Sequence, residues 1–172
     1  MKFEVLVSNL NNDCDEKYVE RKIDFPASDE ELENLFEELG VDKSQTKLYF
    51  QNANLLFEEF DYLICGYFKI ERINEITKKL SEFTDEQFDI LRAIDETEGL
   101  NYLYQLEDIV EHIDDYEILP DIQNDEELAD HFMEKIDVES LRAYVNRHQL
   151  GHDIRATLNA EHSKFGCLIN NR

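Results

Sequence analysis

The chain has 172 residues, of which 42 % are apolar, with 11 Phe and 8 Tyr among them, enough to bury a core. Against 17 Lys and Arg stand 41 Asp and Glu, a formal net charge of −24. Self-repulsion on that scale costs stability, and it excludes polyanions such as DNA, RNA and anionic lipid as ligands, leaving cationic partners.

The opening "KFEVLVS" has the β-branched, half-alternating look of a strand, and "NLNNDCDE" after it is a polar loop carrying Asp13, Cys14 and Asp15. "YVERKIDF" predicts a second strand, stopped by Pro26. Ser28 then offers a helix N-cap with Glu31 three residues on, a capping box ahead of the apolar stripe Leu32, Leu35, Phe36 and Leu39, and Gly40 supplies the stop. "KLYFQN" is a third short strand, so residues 1–61 make a small α+β domain. The aromatic run "YFQNANLLFEEFDYLICGYF" fits core and inter-domain packing, or a hydrophobic patch that seats against a target.

The middle of the chain, residues 62–113, is helical by period. Ile73, Ile76, Leu80 and Phe83 form one stripe; Phe88, Leu91 and Ile94 form a second behind a Thr84/Gln87 capping box; Leu103, Leu106, Val110 and Ile113 form a third beyond Gly99. "DDYEILP" returns to a strand period and opens a second α+β domain, residues 114–172. There Asn124 and Glu127 repeat the cap, and Leu128, Phe132 and Ile136 repeat the stripe, while "HDIRATLNA" and "FGCLINN" are expected as two closing strands. The fold class is α+β.

Opposite these stripes the faces are acidic. The first helix offers Glu30, Glu33, Glu37 and Glu38, the next Asp85, Asp89 and Glu96. A third row, Glu107, Asp108 and Glu111, runs into Asp114, Asp115 and Glu117, and the repeated helix offers Glu126, Asp130 and Glu134. A rise of about 1.5 Å per residue spaces such carboxylates roughly 4.5 to 6 Å apart along the axis. Like charges that close destabilise a helix by a few tenths of a kcal/mol per pair, and a face made only for solubility mixes in Lys at i,i+4, as Glu75/Lys79 does here. Elsewhere the chain forgoes that gain, which points to a binding surface. Duplex DNA carries about one charge per 1.7 Å, so the net charge matches roughly 40 Å of it, or about 12 base pairs, and a dimer doubles the length.

Residues 1–139 carry 39 acidic against 12 basic side chains, whereas the last 33 residues carry 2 against 5. This asymmetry fits a C-terminal segment that lies beside the acidic body or in a self-interface, and equally fits sheet-forming sequence that is merely poor in acid. Leu150, Ile154, Leu168 and Ile169 are core candidates, some of them also dimer-contact candidates.

Cys14, Cys65 and Cys167 are odd in number and far apart, which indicates neither a disulfide framework nor a zinc ribbon and fits the cytosol. No apolar run approaches a membrane span. His148 and His152 would share a face if helical, with His162 following, but Gly151 argues against helix continuity and against a metal site. His112 and His131 fit the edges of apolar faces. The pairs Asp114/Asp115 and Asp13/Asp15 lack the pattern of a calcium loop, and no phosphate-cradling glycine loop or nucleophile elbow occurs. The expectation is a protein that is not an enzyme and uses no cofactor.

"FEVLVSNLNN", "IDFPASDEELENLFEELGVD", "IERINEITKKLSEF", "NDEELADHFMEKI", "YVNRHQLGHDI" and "FGCLINN", in this order over nearly the whole chain, resemble the ArdA antirestriction proteins. That family consists of acidic DNA mimics, encoded on mobile genetic elements, that inhibit Type I restriction-modification enzymes. The resemblance implies an elongated, curved protomer with an α+β domain at each end and a helical one between, dimerising through the C-terminal domain. Its partner would be the DNA-binding methyltransferase core of such an enzyme, with no direct nucleic-acid or membrane binding. The first loop, "NNDCDEKYVERK", lacks the family's glycines, and Gly151-His152-Asp153 stands where Gly-Arg-Asp is typical, so the chain resembles a divergent member.

Overall fold

The structure, a computed structural model, describes residues 2–9, 18–42, 47–54, 63–134 and 145–172, with the backbone alone for 52–54. The expectations that rest on Asp13, Cys14, Asp15, Ile136 and residues 55–62 lie outside the described residues. Within them the fold is mixed α+β, with six α-helices and two small antiparallel sheets. The chain divides into two compact units, Met1–Glu82 with Asn101–Val110 and Phe83–Leu100 with Glu111–Arg172. The stretch read as one helical domain is therefore shared between them.

In the first unit β1 (Phe3–Ser8), β2 (Glu20–Phe25), β3 (Leu48–Asn54) and β4 (Gly66–Phe68) form an antiparallel sheet in the order β2-β1-β3-β4. Period two along β1 buries Phe3, Val5 and Val7 and leaves Glu4 exposed. Phe25 and Phe50 are fully buried with ring centroids 6.3 Å apart, and Phe68 stands 6.2 Å from Phe50. Helix α1 (Asp29–Leu39) starts at the expected Ser28/Glu31 capping box, ends at a left-handed Gly40, and buries Leu35, Phe36 and Leu39. Helix α2 (Ile70–Ser81) buries Ile73, Ile76 and Leu80, and its Asn74 amide pins the turn after β2, accepting from Ala27 N–H at 2.7 Å and donating to Ala27 C=O at 3.0 Å. The short β4 has no periodicity signal; three residues are too few to show alternation.

The chain then supplies α3 (Asp85–Glu98) to the second unit before α4 (Leu103–Glu111) continues the first. Phe83, read as the last member of the α2 stripe, lies beyond that helix and packs on Phe88 with ring centroids 5.4 Å apart. The two rings bracket the Thr84/Gln87 capping box, so Phe83 staples the start of α3 instead of extending α2.

The second unit holds α3, β5 (Tyr116–Leu119), α5 (Asp125–Glu134), α6 (Arg147–Thr157), β6 (Ala160–Ser163) and β7 (Gly166–Asn170), the strands ordered β5-β7-β6. Helix α3 packs on the sheet. Leu128, Phe132, Ile154 and Leu158 of the α5–α6 region meet Ala160, Cys167 and Ile169 in a common core. The expected strand "HDIRATLNA" is corrected: its first part is the end of α6, and the strand starts only at Ala160. The helix runs through Gly151 because α5 lies against it: a Cβ added there would stand 1.7 Å from the Asp125 carbonyl oxygen. The glycine that reads as a helix breaker is a point of close helix–helix approach.

Candidate acidic interaction surfaces

The α1 face is the cleanest of the acidic rows. Its capping box fixes the helix start, and Glu30, Glu33 and Glu37 project as exposed side chains on the side away from Leu35, Phe36 and Leu39. Among the described residues no cation pairs with Glu30 or Glu37. Glu31 serves the fold: the Ser28 backbone N–H and hydroxyl, helped by Lys2, hold its carboxyl below the usual range. Glu38 is tied to Arg21, whose Nε donates to it at 2.7 Å.

On α4, Asp108 is exposed, while Glu107 is half-buried and held in a two-pronged pair by the Arg72 guanidinium of α2. In the second unit Asp85, Glu111, Asp115 and Glu117 are exposed. Asp89 takes Arg92 Nη1 at 2.8 Å, Glu96 accepts the Lys164 backbone N–H at 3.2 Å, and Asp114 accepts Gln87 Nε2 at 3.0 Å.

The fourth row is different. Helix α6 lays two arginines and a histidine along α5: Arg147 Nη1 donates to Asp130 at 2.8 Å, His148 Nδ1 stands 3.5 Å from Glu126, and Arg155 Nε donates to Asp125 at 3.1 Å. His152 Nδ1 lies 3.9 Å from Asp125, and His162 Nε2 of β6 lies 3.0 Å from it. Asp125 is largely covered, which pushes its carboxyl up, but the hydrogen bonds from His162 and Arg155 outweigh that and hold it below the usual range. The basic C-terminal segment thus covers the protein's own acid, and Glu126 and Asp130 are engaged within the chain, while Glu134 stays exposed.

His162 faces Asp125 through Nε2 and stands opposite Cys167 across the β6–β7 pair. Cys167 is fully buried and its thiol is pushed up to about 11 by that burial; among the described residues His162 Nδ1, the nitrogen away from Asp125, has no hydrogen-bond partner. Among the described residues no three His, Cys, Asp or Glu side chains are grouped to hold a metal ion.

The dimer-contact candidates fall largely inside the protomer: Leu168 and Ile169 are buried in β7, Ile154 packs on the core, and Leu150 is half-buried. What the sequence reading did not mark are the cations that spend acid internally, Arg21, Arg72, Arg147 and Arg155, and the exposed rings of Tyr102 and Tyr104. The reversed charge of the last 33 residues was the available signal for Arg147 and Arg155. Nothing local announces Arg72, whose partner lies 35 residues away. No helix is long and apolar enough to cross a membrane. No protein-family model matches the chain, and comparison with curated proteins finds no match.

Proposed function

We propose that the chain is an antirestriction protein, a DNA mimic that works without catalysis in the cytoplasm by occupying the DNA-binding groove of a Type I restriction-modification enzyme. The observation that carries this reading is the α1 row: carboxylates at i, i+3 and i+7, exposed, with no cation on Glu30 or Glu37 among the described residues, on a chain with net charge −24. Such a row of like charges costs helix stability, and among the described residues neither Glu30 nor Glu37 recovers that cost through an ion pair, which fits a surface selected for an external cation. Glu33, Asp85, Asp108, Glu111, Asp115 and Glu117 extend the exposed acid, and Glu126 and Asp130 contribute least because α6 already sets His148 and Arg147 against them. Binding releases the counterions gathered on both surfaces, so it is steeply salt-dependent. An elongated protomer and a homodimer belong to this reading, and small-angle X-ray scattering tests both.

The deciding experiment adds the pure protein to a Type I methyltransferase core loaded with fluorescent duplex. Displacement at low salt that fades as salt rises is the expected result; duplex that stays bound at stoichiometric excess of the protein overturns it. A second reading, an acidic regulatory module for some other basic partner, is favoured by α6 on α5, where this chain's acid accepts a basic helix. Competition separates the two, because duplex DNA contends for the target only if the protein imitates it.

A further inference from the structure

In the first unit a cleft of about 250 Å³ is lined by Leu63, Phe68, Arg72, Tyr102 and Tyr104, among others. At its rim Tyr102 and Tyr104 are 61 % and 60 % exposed and stack on one another, with ring centroids 5.5 Å apart and planes 12° from parallel. Two large rings standing mostly in water lose apolar burial for no benefit to the fold. Inside the same cleft the protein already shows what such a surface accepts: Arg72 lies 6.0 Å from the Phe68 ring centroid while Glu107 grips its guanidinium. The second unit repeats the arrangement with Arg92, 5.9 Å from Phe165 and paired with Asp89.

We infer that the Tyr102–Tyr104 stack receives an arginine of the partner's basic surface, so that the protein selects arginine over lysine. The inference rests on the acidic-surface reading above and names the side chain that surface takes. Charge complementarity decides the occupant. The strongly negative chain repels polyanions, and exposed Asp108 stands one helical turn from Tyr104, on the same side of α4, where it would meet a guanidinium lying on the rings. A planar, weakly hydrated guanidinium stacks on an aromatic face and still offers its edge N–H groups to a carboxylate; a compact, strongly hydrated ammonium does this less well.

The test measures binding of deca-arginine and deca-lysine to the full chain, to a Tyr102→Ala/Tyr104→Ala variant and to a Tyr102→Phe/Tyr104→Phe variant, with circular dichroism checking the fold of each. Removing both rings is expected to weaken deca-arginine about fivefold and deca-lysine less than twofold, and the phenylalanine pair to retain the wild-type preference. Equal weakening of both peptides, no weakening of either, or loss of the preference in the phenylalanine pair overturns the inference while the acidic surface stands. If neither peptide binds the wild-type chain at low salt, the acidic surface falls and the inference with it.

Discussion

Gly151 sets two expectations against each other. Judged as a helix residue, glycine is the worse choice by about 1 kcal/mol, and alanine should stabilise α6. Judged by its neighbour, alanine drives a methyl group into the Asp125 backbone, and overpacking of that kind costs about 1 to 3 kcal/mol or more. Packing wins because a carbonyl cannot rotate aside as a side chain does, so Gly151→Ala is expected to lower the melting temperature; a rise would mean that the helices do not meet there. Asp125 itself carries a pH dependence. Its folded carboxyl lies below the unfolded value of about 4, so its contribution is complete above that value and fades as pH falls through the folded one. Asp125→Asn should therefore cost about 1 to 3 kcal/mol at neutral pH, with the gap from wild type narrowing below about pH 4, as melting curves across pH will report.

Single helices show where sequence and structure agree and where they part. Helix α1 was legible to its caps, since its start, stripe and stop all depend on residues within one or two turns: Ser28 with Glu31, Leu35 with Leu39, Gly40. Helix α6 was not, because the property that decides it, the close approach of α5, belongs to a residue 26 positions earlier in the chain. The acidic faces were legible as faces, but their availability was not, since it turns on which arginine reaches which carboxylate across the fold. For α1 the opposition between stability and binding can be measured. Converting Glu30, Glu33 and Glu37 together to Gln removes repulsion of a few tenths of a kcal/mol per pair and should raise the melting temperature slightly. The same variant should bind deca-lysine several-fold more weakly at low salt. Weaker binding together with a lower melting temperature would instead make those carboxylates structural.

At the scale of the molecule, length and composition bounded the answer to a folded, strongly acidic α+β protein, and that much stands in the structure. The division into parts was harder to read, because linker-like residues such as Gly99 separate helices without saying which sheet each will join. Periodicity identifies an amphipathic segment; only the complementary surface identifies its unit. Helix α2 is held to the turn after β2 through Asn74, while α3 finds the β5-β7-β6 sheet. A fragment ending at residue 82 is accordingly expected to be less resistant to proteolysis than the same residues in the full chain, since it leaves Arg72 without Glu107 and the first unit without α4.

The chain visits the first unit, leaves it for α3, comes back for α4 and leaves again. Deletion mapping with nested truncations would therefore confound the loss of a binding surface with the unravelling of whatever remains. Isolating either half as an autonomous piece calls for rewiring the connectivity, with a short artificial bridge across the excised 83–100 segment, and only pieces made in that way can apportion the protein's activity between its halves.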